Sequence, residues 1–508
     1  MSQPNAAMRS IARGLVMVAL LFLSFESPVA KRSDNSHHLA EQPPSKDAAG
    51  QAEAKRNSKD QDVKKKVLDS SAVEELILKR STGKLAQNKP VVIENCIIKG
   101  PLSLADAKIE TSIWLNDCEF TDGLDLSDSR IEGSLSLRNG IFDGGVDLTG
   151  IQVRRDLSMQ DSTFKGSFDV TDGRILGNVF AEGSKFVCGG EECDADFEGL
   201  HVGGEFELDG ASSRRRMILE SIETQFLSLA DSNVPEVRLN DSIVRRHLTI
   251  KNVKIGRLVA RNLTVGGPTS FEKLTVTGEA DLRHSQLAEL VISETAWPKE
   301  NESVHLAGLT FQSVRPESED GGPSENDTRT DSQKAREETD KWNGLLKWVS
   351  NADYAPDVYR QLEDALKREG RPGLADETYE EMGTQARVKG HLGWVAKINN
   401  CLLHLFVGYG REPQYAFYWS GLVILIGAFV YDERYMETTD DKYRFREYNR
   451  FWYSLDVFLP LSGLKDAEAW IPKKDFPIRG FYARIHALLG WVLIPIGVAA
   501  ISGLISGK

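Results

Sequence analysis

Residues 102–111 read LSLADAKIET, 113–122 IWLNDCEFTD, 124–133 LDLSDSRIEG and 135–144 LSLRNGIFDG. Each stretch opens on an apolar-x-apolar triplet, and the triplets start eleven residues apart. The register extends both ways, through Val91, Leu102, Ile113, Leu124, Leu135, Val146, Leu157, Phe168 and Val179. After one interruption near Cys188 it resumes at 10–11 residues, as FELDG from Phe206, MILES from Met217, LSLAD from Leu227 and VRLND from Val237, and on to LVISE from Leu290. A short fixed period marks stacked units, each too small to bury its own apolar face.

Within a unit, positions 1 and 3 are apolar, the alternation of a short strand with one face turned inward. A second apolar residue stands at position 8: Ile109, Phe120, Ile131, Phe142, Phe164, Ile175 and Phe186. Position 5 is Asn95, Asp106, Asp117, Asp128, Asn139, Gly150, Asp161, Asp172 and Gly183. These residue types bond their own backbone and tolerate tight turns, so position 5 reads as a corner. Strand, corner, second apolar contact and second corner make half of a square coil. Two units then form a 22-residue coil, and the whole series forms about ten coils, a rod on the order of 50 Å long at ~4.8 Å per coil. The predicted fold is a four-sided β-solenoid over 91–314. Turn formation explains the recurring aspartates. Acid–base catalysis would need carboxylates set apart from the pattern, and none stands out.

These units resemble the right-handed β-helix of pentapeptide-repeat-like proteins, a four-sided solenoid with Asp or Asn at recurrent corners. The resemblance covers 91–314 and departs from that pattern in its 10–11-residue period.

The flanks differ in character. Residues 1–30 carry Arg9 and Arg13, then GLVMVALLFLSF, then SPVA ending at Ala30, the layout of a signal peptide. Residues 31–72 are polar and read as a disordered linker, and 73–90, opening on VEELILK, as an N-terminal helical cap. An acidic linker is expected over 315–352. Residues 353–410 read as a helical hairpin, with Pro356 in a first turn and Gly370 at a C-cap, followed by a juxtamembrane amphipathic helix. Residues 411–508 contain two apolar stretches, 415–431 and 485–505, read as two transmembrane helices around a polar loop with a short apolar stretch at 451–461.

The segments RFWYSLDVFLPLSGLKDAEAW (450–470) and ARIHALLGWVLIPIGVAAISGLI (483–505) resemble the two-helix module of the potassium-channel superfamily. They are most similar to the degenerate version attached to bacterial pentapeptide-repeat-like membrane proteins. The resemblance implies a short re-entrant-type helix between the spans and a homo-oligomer formed through the membrane domain. Where such channels place TVGYG, this chain has LPLSGL at 459–464. The VGYG at 407–410 precedes the first span and reads as a helix C-cap and turn.

Formal net charge is −13, which argues against a general nucleic-acid binder. Basic residues gather between Arg214 and Arg261, and Arg214, Arg215, Arg216, Arg245 and Arg246 form a candidate anion-binding patch for a lipid head group or an envelope polymer. Of the five cysteines, Cys188 and Cys193 could clip the interrupting loop, while Cys96 and Cys118, 22 residues apart, would stack as free thiols or as a bridge. The loop between the spans carries Arg434, Lys442, Arg444, Arg446, Arg450, Lys465, Lys473, Lys474, Arg479 and Arg484, against Lys397, Arg411 and Lys508 on the outer flanks. The positive-inside rule puts that loop in the cytoplasm and, with the export signal, the solenoid outside.

The sequence therefore leads to a multi-pass protein of the cytoplasmic (inner) membrane, non-enzymatic, that displays an extracytoplasmic β-helix as a scaffold. Its expected partners are membrane lipid and a protein or envelope polymer lying along the solenoid. A channel-derived sensor or ion channel is the alternative. A membrane-associated oxidoreductase rests on a family label alone, since no GxGxxG, CxxC or haem motif is present. No catalytic residue, cofactor or metal ligand is assigned.

Overall fold

The computed structural model describes residues 65–81, 89–190, 193–292, 303–316, 342–411, 414–445, 447–459, 466–475 and 477–501. The expected signal at 1–30, most of the 31–72 linker, residues 317–341 of the acidic linker and the LPLSGL stretch beyond Leu459 lie outside the described residues.

From Val91 the chain winds into a β-solenoid of ten coils, counted on one face by ten parallel strands in register, from Leu102–Ser103 to Val304–His305. One coil runs through four faces. The first holds strands such as Val91–Glu94 and Ile113–Asn116; the second, Glu119–Phe120 and Ile141–Phe142; the third, Leu124–Asp125 and Val146–Asp147; the fourth, Arg130–Ile131 and Gln152–Val153. In the early coils each strand pairs in parallel with the strand 22 residues on, as Leu135 does with Leu157 and Phe142 with Phe164, and across the interrupting loop the offset is 27, as from Phe168 to Ala195. Two-residue strands cannot persist alone. They hold because every coil repeats the same inward apolar set and the backbone bonds run continuously from coil to coil.

Positions 1, 3 and 8 point inward, and Leu135, Leu137, Ile131 and Phe142 are all fully buried. Phe120, Phe142, Phe164 and Phe186 stack as a column inside the second face, with ring centroids 4.6, 4.9 and 5.1 Å apart and planes within 15° of parallel. Each buried apolar side chain contributes roughly 1.5–3 kcal/mol, so cohesion comes from the column and not from any one coil.

Beyond Glu223 the fourth and first faces merge. Strands Glu223–Ala230, Ile243–Lys251, Thr264–Glu272, Gln286–Ile292 and Thr310–Pro316 each run through the former corner without a break. The reason is a shorter coil: Glu223 pairs with Ile243 and Leu227 with Leu248, offsets of 20 and 21 residues where the earlier coils use 22. With a residue lost, the corner straightens and a bulge absorbs the mismatch.

Both ends are covered. Strand Lys66–Asp69 adds to the first strand of the second face, and helix α1 (Ser70–Ser81) buries Val73 and Ile77 against the first coil. Strand Lys66–Asp69 thus lies inside the stretch read as a linker. At the far end α2 (342–351) and α3 (Pro356–Arg368) join the core through Trp342, Leu345, Trp348, Val358, Tyr359 and Leu362. Helix α2 falls within the stretch 315–352 read as an acidic linker, and its Trp342 and Trp348 are buried against the solenoid end.

Helix α4 (Pro372–Val388) completes a hairpin with α3, and α5 (Trp394–Val407) follows. Then come the apolar α6 (Gln414–Val430), a short α7 (Arg450–Phe458) and the long α8 (Pro477–Ile501). A two-stranded antiparallel ribbon, Met436–Thr438 with Trp470–Pro472, organises the loop between α6 and α8. Among the described residues one helix is long and apolar enough to cross a membrane, over Pro477–Ala499. The expectation of two such helices is corrected here: α6 has 17 residues, about 25 Å at 1.5 Å each, short of the ~30 Å hydrocarbon core.

Candidate functional site

The corners of the solenoid carry the conspicuous aspartates. Asn95, Asp106, Asp117, Asp128, Asn139, Asp161 and Asp172 all have φ between 53° and 57°, the left-handed region. Gly150 and Gly183 occupy the same place at 68° and 67°. Asp and Asn visit this region at lower cost than other non-glycine residues, which explains the residue types without any chemistry.

A second aspartate series escaped the sequence reading. Asp125, Asp147, Asp169 and Asp196 lie in register along the third face. Each accepts the N–H of the residue two ahead, at 3.1, 3.0, 2.9 and 3.0 Å. These are Asx-turns leading into the corner, and the Asp-x-Ser/Thr spacing in DLS, DLT and DVT was the signal available. Stacked like charges have a cost: burial and the neighbouring Asp169 raise the carboxyl pKa of Asp196.

The five arginines of the candidate anion patch do not form one surface. Arg214, Arg215 and Arg216 stand at the entry to the third face, whereas Arg245 and Arg246 lie in the long strand Ile243–Lys251 of the merged sheet. Arg216 Nη2 is 2.5 Å from Asp194 Oδ2, and Arg215 donates to Gly190 O at 3.0 Å. Arg245 Nε donates to Glu223 Oε1 at 2.8 Å, and Arg246 sits over the Phe226 ring. The same matching continues upward, with Arg261 and Arg283 both on Asp281. Burial opposes the charge of Asp281, yet the two guanidiniums prevail and hold its pKa at about 2. Arg216, Arg245 and Arg261 thus each pair with a carboxylate on a neighbouring turn.

The coil height sets Cys96 and Cys118 with Cα atoms 4.7 Å apart and their sulfurs in disulfide contact. Both follow a left-handed corner residue, a place taken elsewhere by buried serines. Ser162 and Ser184 donate there to the carbonyls of Leu137 and Met159 at 2.6 and 2.7 Å, and Cys118 Sγ lies 3.5 Å from Ile93 O in the same relation. A thiol at Cys118 would fill the serine role and a bridge would forgo it. Cys188 and Cys193 are joined at the base of the interrupting loop.

Hollows on the solenoid are slight. One of about 140 Å³ lies on the fourth face among Arg174, His201, Glu223, Gln225 and Arg245. A larger one, about 580 Å³, is lined by five residues of α1 alone and is open surface. Ligand pockets usually enclose about 300–1,000 Å³ between several elements. Among the described residues no group of three or more His, Cys, Asp or Glu side chains could hold a metal ion.

The helical module is organised differently: polar Ser454, Asp456 and His486 are buried among its aromatic side chains, while large apolar groups lie outside. His486 on α8 is fully buried; its Nε2 is 3.0 Å from Ser454 O and its Nδ1 3.3 Å from the Tyr482 hydroxyl. Ser454 on α7 donates to Ile424 O of α6 at 2.7 Å. Glycines permit this closeness. A Cβ on Gly427 would stand 2.2 Å from Ser454 Oγ, and one on Gly490 1.8 Å from the Phe458 carbonyl oxygen. Meanwhile Phe429, Leu488, Trp491 and Val498 are 77%, 62%, 62% and 62% exposed.

Between solenoid and module lies a buried charge cluster. Arg411, just before α6, contacts Glu363 of α3 and lies 3.3 Å from Asp376 of α4, while its guanidinium covers the Tyr379 ring at 4.6 Å. Glu363 also pairs with Lys367 at 2.8 Å. The Arg411 and Glu363 side chains are only 7% and 8% exposed, so neither charge is left to water. The preceding VGYG is a turn: Gly408, Tyr409 and Gly410 have φ of 50°, 54° and 87°, and Gly408 caps α5. Tyr409 settles over Gly383, where a Cβ would meet its ring at 2.4 Å. The opposite side of α3 caps the last coil, with Asp357 accepting from Gly308 N at 2.9 Å and Gln361 from Phe311 N at 2.9 Å. The partners in these contacts lie 48–50 residues apart, and no local pattern announces them. Comparison with known proteins yields no match: no family model, no curated protein and no solved structure.

Proposed function

We propose that the chain is a membrane-anchored scaffold, with a rigid β-solenoid as an interaction surface and α6–α8 as its anchor. The observation that carries the reading is the inverted polarity of the helical module. Burying His486 and Ser454 while exposing Phe429, Leu488 and Trp491 is unfavourable in water and favourable in hydrocarbon. On this reading α8 crosses the bilayer, the 17-residue α6 crosses beside it where the bilayer thins to its length, and the Arg-rich loop between them faces the cytoplasm. The solenoid then stands on the opposite side. Its ribbed faces of short strands, without an enclosed cavity among the described residues, suit recognition of a protein or an envelope polymer.

Extraction tests the anchor. The full-length protein should remain in the membrane pellet after alkaline carbonate treatment and leave it only with detergent. Release by carbonate alone would overturn the reading. A channel is the second reading, favoured by the way α7 tucks between α6 and α8, the packing of a short helix between two apolar ones. Conductance of purified protein in planar bilayers distinguishes them: the scaffold reading expects none, and a reproducible unitary current would favour the channel.

A further inference from the structure

Helix α5 turns its polar side to the protein and its apolar side away. Asn400 accepts a hydrogen bond from the Tyr409 hydroxyl at 2.7 Å, and the His404 ring lies 5.4 Å from that of Tyr409. On the other side Trp394, Val395, Ile398 and Leu402 are exposed, at the i, i+4, i+8 spacing of one helical stripe with Val395 beside it. A soluble helix does the reverse. We propose that α5 is an interfacial lipid-binding helix, lying in the membrane plane with this stripe in the headgroup–acyl boundary. The inference rests on the membrane anchor proposed above and adds a third lipid contact to it.

Three further observations favour a lipid occupant. The helix has 14 residues, about 21 Å, too short to cross a ~30 Å core. It is fastened to the apolar α6, because Trp419 Nε1 donates to Leu405 O at 2.8 Å and the Phe406 ring packs edge-on to Trp419. Its apolar stripe therefore continues into an apolar helix. Trp394 stands at the free end and Lys397 is exposed beside the stripe, the residue types that settle at headgroup depth.

The test is spin-label depth measurement on full-length protein in vesicles of phosphatidylcholine and phosphatidylglycerol. Labels are placed singly at Ile398→Cys, Lys397→Cys and Val492→Cys, with Cys401 replaced by serine. The label at 398 should favour collisions with oxygen over a water-soluble nickel chelate and report a depth of roughly 5–10 Å. The label at 397, on the polar edge of the stripe, should favour the chelate, and that at 492 should lie deeper than that at 398. If 492 lies in lipid while 398 is chelate-accessible, the α5 inference fails and the anchor stands. If 398 is shielded from both reagents, a second copy of the chain covers the stripe and the lipid assignment is overturned. If 492 itself is chelate-accessible, the anchor reading fails and the α5 inference with it.

Discussion

At Asp128 the backbone turns left-handed with φ of 53°, and Gly150 occupies the equivalent corner one coil on. The residue is there for its conformation. Asp128→Asn keeps that tolerance and should change stability by less than about 0.5 kcal/mol. Asp128→Val should cost about 1–2 kcal/mol or more, since a β-branched side chain resists this region. Thermal unfolding of both variants checks the pair, and a large effect of the Asn variant would point to a role for the charge itself. Glu207 offers a different test. Burial, and then the adjacent Glu182 and Glu205, push its pKa up to about 7 from 4.5. The folded state therefore holds a proton more tightly than the unfolded chain. This contribution is fully present below pH 4.5, declines as pH rises toward 7, and stays lost above it. Glu207→Gln should raise the melting temperature at pH 8 and leave it nearly unchanged at pH 4. Equal shifts at both pH values would show that the carboxylate group is not the cause.

Among the elements, the short strands were legible in the sequence because a solenoid strand is defined by local residues alone: Leu135, Leu137 and Phe142 can be assigned inward from period and polarity. The straightened corner was less so, because it depends on the offset of 20–21 residues accumulating between Glu223, Ile243 and Thr264. The capping role of α3 could not be read at all. Asp357 and Gln361 look like ordinary surface residues of an amphipathic helix until the last coil presents unpaired N–H groups to them. The arginines misled for a related reason, since their carboxylate partners lie about one coil away in sequence. Helix contacts in the module can be tested by glycine substitution. Gly490→Ala drives a methyl group into the Phe458 carbonyl and should cost about 1–3 kcal/mol in detergent-solubilised protein. Gly421→Ala on α6 meets nothing within 4 Å and should be neutral or stabilising by up to about 1 kcal/mol. Equal effects of the two would mean that α7 and α8 do not pack as described.

In the molecule as a whole, α3 links the two halves. Its Asp357 and Gln361 hold the solenoid end, and its Glu363 holds Arg411 at the start of α6. A partner bound along the solenoid would thus be held at a fixed attitude to the anchor. The side of the membrane then governs everything that can reach it. In an oxidising compartment Cys188 and Cys193 should resist alkylation in native membranes until a reductant is added, and free reactivity of both would argue for a reducing one. The most direct measurement is sided labelling with a membrane-impermeant thiol reagent, on Gln152→Cys in the fourth solenoid face and Phe445→Cys in the α6–α8 loop, both exposed positions. The expected result is labelling of position 152 from outside intact cells and of position 445 only from the cytoplasmic side. Labelling of 445 from outside, with 152 protected until the membrane is opened, would contradict an outward-facing solenoid scaffold.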